Sequence, residues 1–387
     1  MDDKVTKYNQ FDEYLMQSEP HKLDKVLTWK TAIGLQAVDG LSPSNYLIET
    51  AKRHIDGDIS IEEVQSLLDS YYKSKSSRTT EEEKMEEADK VSANIARILN
   101  EKTFSFSPAA YINIHKCIFD GVFKFAGKVR DYNITKNEWV LRGDTVYYAS
   151  ADDIMPALEY DFSQEKEFNY AGLSKDRMVK HFAKFVANIW QIHAFGEGNT
   201  RTTAVFAIKY LSALGFSVTN TPFESHSWYF RNALVRANYR NYQRNITPTL
   251  KFLEAFFRNL LFGENNELKN RYLIIEPPKE LASEIQETSI EPVYRTSTEQ
   301  VPNKLGIDNP NIIRVLQVLK NDALSIKEIL SLLGLKHRPT FLENYLKPAI
   351  QGGFVVPLYI DKPNHPRQKY LLTEKGLILY RRLGNRE

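Results

Sequence analysis

The sequence is poor in cysteine: Cys117 is the single thiol in 387 residues. One cysteine excludes an intrachain disulfide and a cysteine-built metal site. Cys117 falls in an apolar helical run with Ile114 and Ile118, which predicts a buried structural thiol. No stretch reaches the roughly 18 consecutive apolar residues of a membrane span, which excludes an integral membrane protein. The opening segment, MDDKVTKYNQFDEYL, is polar and acidic with no apolar core, so no secretory signal is expected. A cytoplasmic protein is the expectation that fits these absences. Charge of one sign is also missing, since the formal net charge is +2. The distribution is less even. Residues 305–387 hold thirteen Lys and Arg against seven Asp and Glu, so the positive surplus sits in the last quarter.

No repeat or low-complexity tract interrupts the chain. To about Lys75 the pattern is helical. A helix over Trp29–Val38 would stop at Asp39-Gly40, and Ser42-Pro43-Ser44 would open the next. Gly57-Asp58 breaks that helix, and Ser60 with Glu63 has the spacing of a capping box. Thr79–Leu99 starts with glutamates, as a helix N-terminus favours. Tyr111–Phe119 is again helical. Lys136–Ser150 reads as a β-hairpin, with strands at 139–141 and 146–148 and a turn at Arg142-Gly143-Asp144. From Ser174, the residues Met178, Phe182, Phe185, Ile189 and Ile192 form an apolar stripe on one helical face. A loop at 194–199 leads into a helix from Thr200 to Leu214, which Gly215 ends. Ser227–Arg240 and Thr247–Leu261 are helical as well. Between Pro277 and Pro310 the chain is polar and proline-punctuated, as a linker is. Beyond it, three short helices and two strands predict a winged helix-turn-helix.

The segment His193-Ala-Phe-Gly-Glu197-Gly198-Asn199-Thr200-Arg201 concentrates chemistry. The N–H groups at the start of the second helix, and its positive dipole end, suit a phosphate. Arg201 can add a bidentate phosphate contact. Glu197 is an oxygen ligand of the kind Mg²⁺ takes beside phosphate oxygens. His193 is a candidate general base. The opposing reading is a packed or capping histidine with a solvated Glu and Arg. The residues alone leave both open.

The segment resembles the signature of the Fic family (filamentation induced by cyclic AMP), H-P-F-x-[D/E]-G-N-G-R-x-x-R. The flanking IHKCIFDGVFKFAG (114–127), KVRDYNITK (128–136) and WYFRNALVRA (228–237) resemble family segments too. The resemblance implies a mainly α, Fic-type helical bundle with a β-hairpin flap. It implies transfer of AMP from ATP, with Mg²⁺, to a Ser, Thr or Tyr hydroxyl of a target protein, which could be this chain itself. His193 would be the base and Glu197 the metal ligand. Gly198, Asn199 and Thr200 would stabilise the α-phosphate, and Arg201 would hold the outer phosphates. The flap, with Glu138, Trp139, Val140 and Leu141, would align the target by strand addition.

Three positions depart from the signature. Ala194 stands for Pro, Thr200 for the second Gly, and Ala204 for the second Arg. Doc-type relatives, which transfer phosphate, also lack that Arg but carry Lys at the Thr200 position. A Doc-like phosphotransferase, or a transferase using another nucleotide, is therefore the first alternative. A nucleotide-sensing DNA-binding regulator with weak catalysis is the second. Leu35-Gln-Ala-Val-Asp39-Gly40 resembles the family's inhibitory motif [S/T]-x-x-x-E-[G/N], with Asp39 and Gly40 at its key positions. With Ala at 204, Asp39 is expected to lack its usual partner, which predicts little autoinhibition. The end of the chain resembles the winged helix of some Fic proteins. There Lys336, Arg338, Arg367 and Lys369 are candidate DNA contacts. The expected organisation is an N-terminal helical regulatory region (1–100), a Fic core (101–276, flap 136–150), a linker (277–305) and a winged helix domain (306–387). Expected partners are a protein substrate, DNA and a second copy of the chain, with no membrane.

Overall fold

The computed structural model describes residues 11, 20–75, 79–216, 221–241, 244, 246–275, 310–320, 322–335, 337–359, 365–373, 376–377 and 379–380. The chain divides into two compact units: residues 1–239 with 248–275, and residues 240–247 with 276–387. The expected linker, 277–305, lies outside the described residues. No helix among the described residues is long and apolar enough to cross a membrane.

The first unit is helical throughout. Helix α1 spans Pro20–Gly34 and passes into a 3₁₀ turn, Leu35–Asp39, which Gly40 closes at φ 70°. Helix α2 (Asn45–Asp56) is capped by Ser44, and α3 (Ile61–Lys73) by the Ser60–Glu63 box that the spacing predicts. Helix α4 (Thr80–Asn100) opens on a second box, Thr79 with Glu82. Helix α5 (Pro108–Ile118) starts with Pro at its first position, where a missing N–H costs nothing. Cys117 on this helix is half-buried rather than buried.

Helix α6 (Ile154–Lys166) has no counterpart in the sequence reading. Its weak amphipathic signal and Pro156 hid it, although a proline in a first turn is tolerated. Helix α7 (Lys175–Ile192) carries the apolar stripe. Helix α8 (Asn199–Ala213) is buried on every face from Asn199 to Leu211. It is the central rod of the unit, packed on α5 and α7. Phe106, Phe162, Phe185, Phe206 and Tyr210 interlock beside it. Helices α9 (Thr221–Asn238) and α10 (Lys251–Phe262) cover α7, and α1 lies across α9. The crossing is close at Gly34, where an added Cβ would come within 2.4 Å of the Glu224 carbonyl oxygen. Ser227 donates a hydrogen bond to the Gly34 carbonyl at 2.6 Å, which fixes where the 35–39 turn begins.

The expected β-hairpin at 136–150 does not form. Trp139–Leu141 is a 3₁₀ turn, Arg142 sits at φ 56°, and 146–148 pairs with no strand among the described residues. Glu138 explains the difference. Its carbonyl accepts from Leu141 and Gly143 N–H, so the chain curls where a strand would run on. Val140 and Leu141 are then drawn fully inside. Strand-like composition here reflects burial rather than pairing.

In the second unit α11 (Pro310–Leu319) and α12 (Ile326–Leu333) precede a composite helix, α13. This runs as Arg338–Phe341, a π-helical turn Leu342–Leu346, and Lys347–Gln351. Strands β1 (Val355–Pro357) and β2 (Tyr370–Leu372) pair antiparallel, Val356 opposite Leu371. A single bridge, Leu324 to Tyr370, ties the α11–α12 connection to the ladder. Val315, Leu316, Leu319, Ile329 and Phe341 form the core. This is the order of three helices and two strands that the pattern predicts.

Candidate active site

Helix α7 ends at His193, a non-glycine residue in the left-handed region at φ 51°. Such a conformation costs roughly 1–3 kcal/mol and persists only where surroundings enforce it. Here the His193 N–H donates to the Trp190 carbonyl at 3.0 Å. The His193 carbonyl accepts from Arg130 Nε at 2.7 Å. The ring is 4% exposed between Tyr148 (4.2 Å) and Trp190 (5.3 Å). Neither ring nitrogen has a hydrogen-bond partner among the described residues. Burial, and then the charges of Lys136, Arg231 and Arg130, hold the imidazole well below its usual pKa, so it is neutral.

The loop from Ala194 to Gly198 is braced from inside. Asn199 accepts from the Phe195 N–H at 3.0 Å and donates to the Phe195 carbonyl at 2.7 Å. Its amide therefore shapes the loop instead of facing a phosphate, which corrects the expected role. His115 lies flat on the Phe195 ring, 3.7 Å away and tilted by 10°. It accepts from the Gly127 N–H through Nδ1, which leaves Nε2 to donate to the Glu197 carbonyl at 3.1 Å. Gly198, at φ 76°, admits no side chain, since a Cβ would lie 2.2 Å from the Phe119 ring. The first N–H groups of α8 have no intrahelical acceptor and point back at this loop. Thr200 does not intrude beside them, because its hydroxyl accepts from Trp190 Nε1 at 3.0 Å and is committed to the core.

The charges are paired in a way that the sequence did not suggest. Glu197 is half-exposed, and Lys136 Nζ lies 3.1 and 3.2 Å from its two carboxylate oxygens. Arg201 is fully buried. Its Nε is 2.8 Å from Asp39 Oδ2, out of line for a hydrogen bond, so that contact is Coulombic. Its two terminal nitrogens donate to Gln36 at 3.1 Å and Glu87 at 2.7 Å, and Phe119 covers its face at 4.8 Å. Asp39 thus has a partner after all: the motif's own arginine.

Residues 105–211 match the Fic/DOC family, and residues 310–373 match "Filamentation induced by cAMP protein Fic-like, C-terminal domain". The chain contains a Fic domain. No curated protein matches the chain. Among solved structures it is similar to a Fic family protein from Desulfovibrio desulfuricans G20, at 16% identity and TM-score 0.40, over 96% of this chain and 93% of that one. The N-terminal FIC domain of the VirB-translocated effector Bep8 from Bartonella sp. 1-1C is similar at 20% identity and TM-score 0.39, over 50% of this chain and 92% of that one. A Fic domain of a Bartonella effector protein from Bartonella sp. AR 15-3 gives 18% and 0.39, over 49% and 85%.

Around the Fic motif the structure adds residues that the sequence reading left without a role. Arg130 donates to the carbonyls of His193, Ile192, Tyr132 and Ala149, so it fixes the backbone that carries the imidazole. Nothing local to Arg130 in KVRDYN names its acceptors. Glu138, expected on a docking flap, is fully buried. It pairs with Arg231 at 2.6 Å and accepts from the Tyr148 hydroxyl at 3.0 Å. Val140 is buried too, and its carbonyl accepts from the Ile275 N–H. Of the four flap candidates only Trp139 is exposed, at 42%.

The candidate DNA contacts fare similarly. Arg338 is exposed at the start of α13, and Lys336 lies outside the described residues. Arg367 is 3% exposed with its guanidinium over Tyr359, so it does not decorate a surface. The Lys369 side chain is largely buried beside Glu328, at 3.9 Å.

Proposed function

We propose that the Fic domain moves AMP from ATP, with Mg²⁺, to a Ser, Thr or Tyr hydroxyl of a target protein. One observation carries this reading: a fully buried, neutral histidine in a strained backbone conformation, with both ring nitrogens unpartnered, beside the N-terminus of a buried helix. A structural histidine would use its nitrogens, as His115 does.

In the step, the target oxygen bonds to the α-phosphorus as the bond from that phosphorus to the β-bridging oxygen breaks. Pyrophosphate leaves with the bonding electrons. His193 takes the hydroxyl proton on a ring nitrogen. The α8 N–H groups are fixed donors for charge on the α-phosphate. Gly198 and Asn199 hold the loop so that these donors converge.

Glu197 is the residue that would hold Mg²⁺. Its half-exposed carboxylate, here paired with Lys136, fits that ion only when phosphate oxygens complete the shell, because no cluster of three or more His, Cys, Asp or Glu side chains is present among the described residues. Bound there, the ion would offset phosphate charge.

ATP labelled separately at the α- and γ-phosphates tests the proposal. Label from the α-position on protein is expected. Label from the γ-position alone would replace AMP transfer by phosphotransfer, and no label would remove the transferase reading.

The Asp39–Arg201 pair supports autoinhibition within the same proposal. Arg201 cannot meet a phosphate while Asp39, Glu87 and Gln36 enclose it. Asp39→Gly is expected to raise auto-labelling by about tenfold, the coupling that one charge contact on the buried Arg201 can supply. Glu87→Gln in addition should raise it further. Equal labelling in the parent and both variants would show that Arg201 is a structural residue.

A further inference from the structure

The first ten residues of α7 are crowded with positive charge. Lys175, Arg177, Lys180 and Lys184 fall there, and the helix dipole adds positive potential at the first turn. The acid of the first turn, Asp176, is engaged by Arg258 on α10. Arg177, Lys180 and Lys184 follow at helical spacing and line one wall of a groove of about 670 Å³. Its floor is aliphatic, with Leu173, Pro248 and Leu250, and no Asp or Glu lines it among the described residues. All of these residues belong to the first unit.

We propose that this groove is a docking site for an acidic, aliphatic-rich segment of a protein substrate. The claim that the occupant is a substrate rests on the proposed function. The binding chemistry does not. A row of cations over an apolar floor complements a peptide that alternates carboxylates with Leu, Ile or Val. A single-stranded nucleic acid would need aromatic faces on which to stack bases. The aromatic ring here is Phe168, and His181 already lies flat on it at 3.3 Å. His181 is held in turn by the buried Glu165 at 2.7 Å, so the stack is fixed.

The place of the groove on α7 sets the geometry. His193 follows Arg177 by sixteen residues of one helix, roughly 24 Å at 1.5 Å per residue. An extended substrate would therefore place its docking segment at least about seven residues from the modified hydroxyl.

Fluorescence anisotropy on the full chain tests this. The probes are a peptide alternating Glu and Leu, a Glu/Gly peptide of equal charge, and a single-stranded oligonucleotide. The Glu/Leu peptide is expected to bind best, and to weaken about tenfold or more in the Arg177→Glu/Lys180→Glu variant. Both residues are exposed, and circular dichroism checks that the variant is folded. His193→Ala should bind the peptide as the parent does. The proposal is overturned if the double reversal leaves binding unchanged, or if the Glu/Gly peptide or the oligonucleotide binds as well as the Glu/Leu peptide. Loss of α-label transfer with peptide binding intact would count against the transferase reading and leave the groove standing.

Discussion

His193→Ala is expected to lower the transfer of α-label from ATP to protein by about 10²- to 10⁴-fold, the range a general base contributes. Mg²⁺-ATP should still bind with near-parental affinity, because the ring makes no hydrogen bond that shapes the loop. The loop is held by Asn199, His115 and Arg130 instead. Titration calorimetry and the labelling assay together separate the two effects. The parent's acid limb is a second signature. The largest cause of the low His193 pKa is burial, followed by the charges of Lys136, Arg231 and Arg130. The imidazole therefore stays deprotonated well below pH 6.5, and if it is the base, label transfer should persist into acid for as long as the domain is folded. Lys136→Met removes one of those charges and should move the limb toward neutral pH. A limb that does not respond to Lys136 would place the base elsewhere.

Folding of the first unit should fail in mild acid. Burial is the main cause that lowers His54 and His115 to about 4 each. Lys25 adds to the effect at His54, and Arg201 at His115. Both rings accept a hydrogen bond in the folded state, His54 from Trp29 Nε1 at 3.0 Å and His115 from the Gly127 N–H at 2.9 Å. A protonated ring could do neither. The folded pKa lies below the unfolded one, so the stabilisation is complete above about pH 6.5. It is lost as pH falls from there through 4. At about 1.36 kcal/mol per unit, each ring accounts for on the order of 3 kcal/mol. Two such losses approach the roughly 5–15 kcal/mol that holds a domain together. The four tryptophans, Trp29, Trp139, Trp190 and Trp228, all lie in this unit, so their emission follows it alone. Their transition under urea should shift to much lower denaturant between pH 6.5 and 4. His115→Asn should flatten the pH dependence. A midpoint that is constant over that range would refute the account.

Much of the fold was legible before the structure. Ser60 with Glu63, and Thr79 with the glutamates after it, announce helix starts because a cap is satisfied within four residues. The stripe on α7 and the glycines that end α1's extension, α2 and α8 are also local. The motif between α7 and α8 was legible for the same reason, since its residues are adjacent in sequence. His193 at a helix end, and Gly198 before a helix start, carry their geometry with them.

The sequence by itself determined most of the helices, several of their caps and the position of the motif. Each depends on neighbours within a turn or two, where propensity, capping and periodicity act. Only the tertiary structure decided what the charged groups do. Arg201 carries no local mark of burial, and its partners Gln36, Asp39 and Glu87 are more than a hundred residues away. Glu138 meets Arg231, and that pair together with the curl of the chain removes the expected hairpin. Arg367 faces inward because Tyr359 offers its ring. A buried charge must find a partner or pay several kcal/mol in desolvation, and which partner it finds is fixed by packing between distant elements.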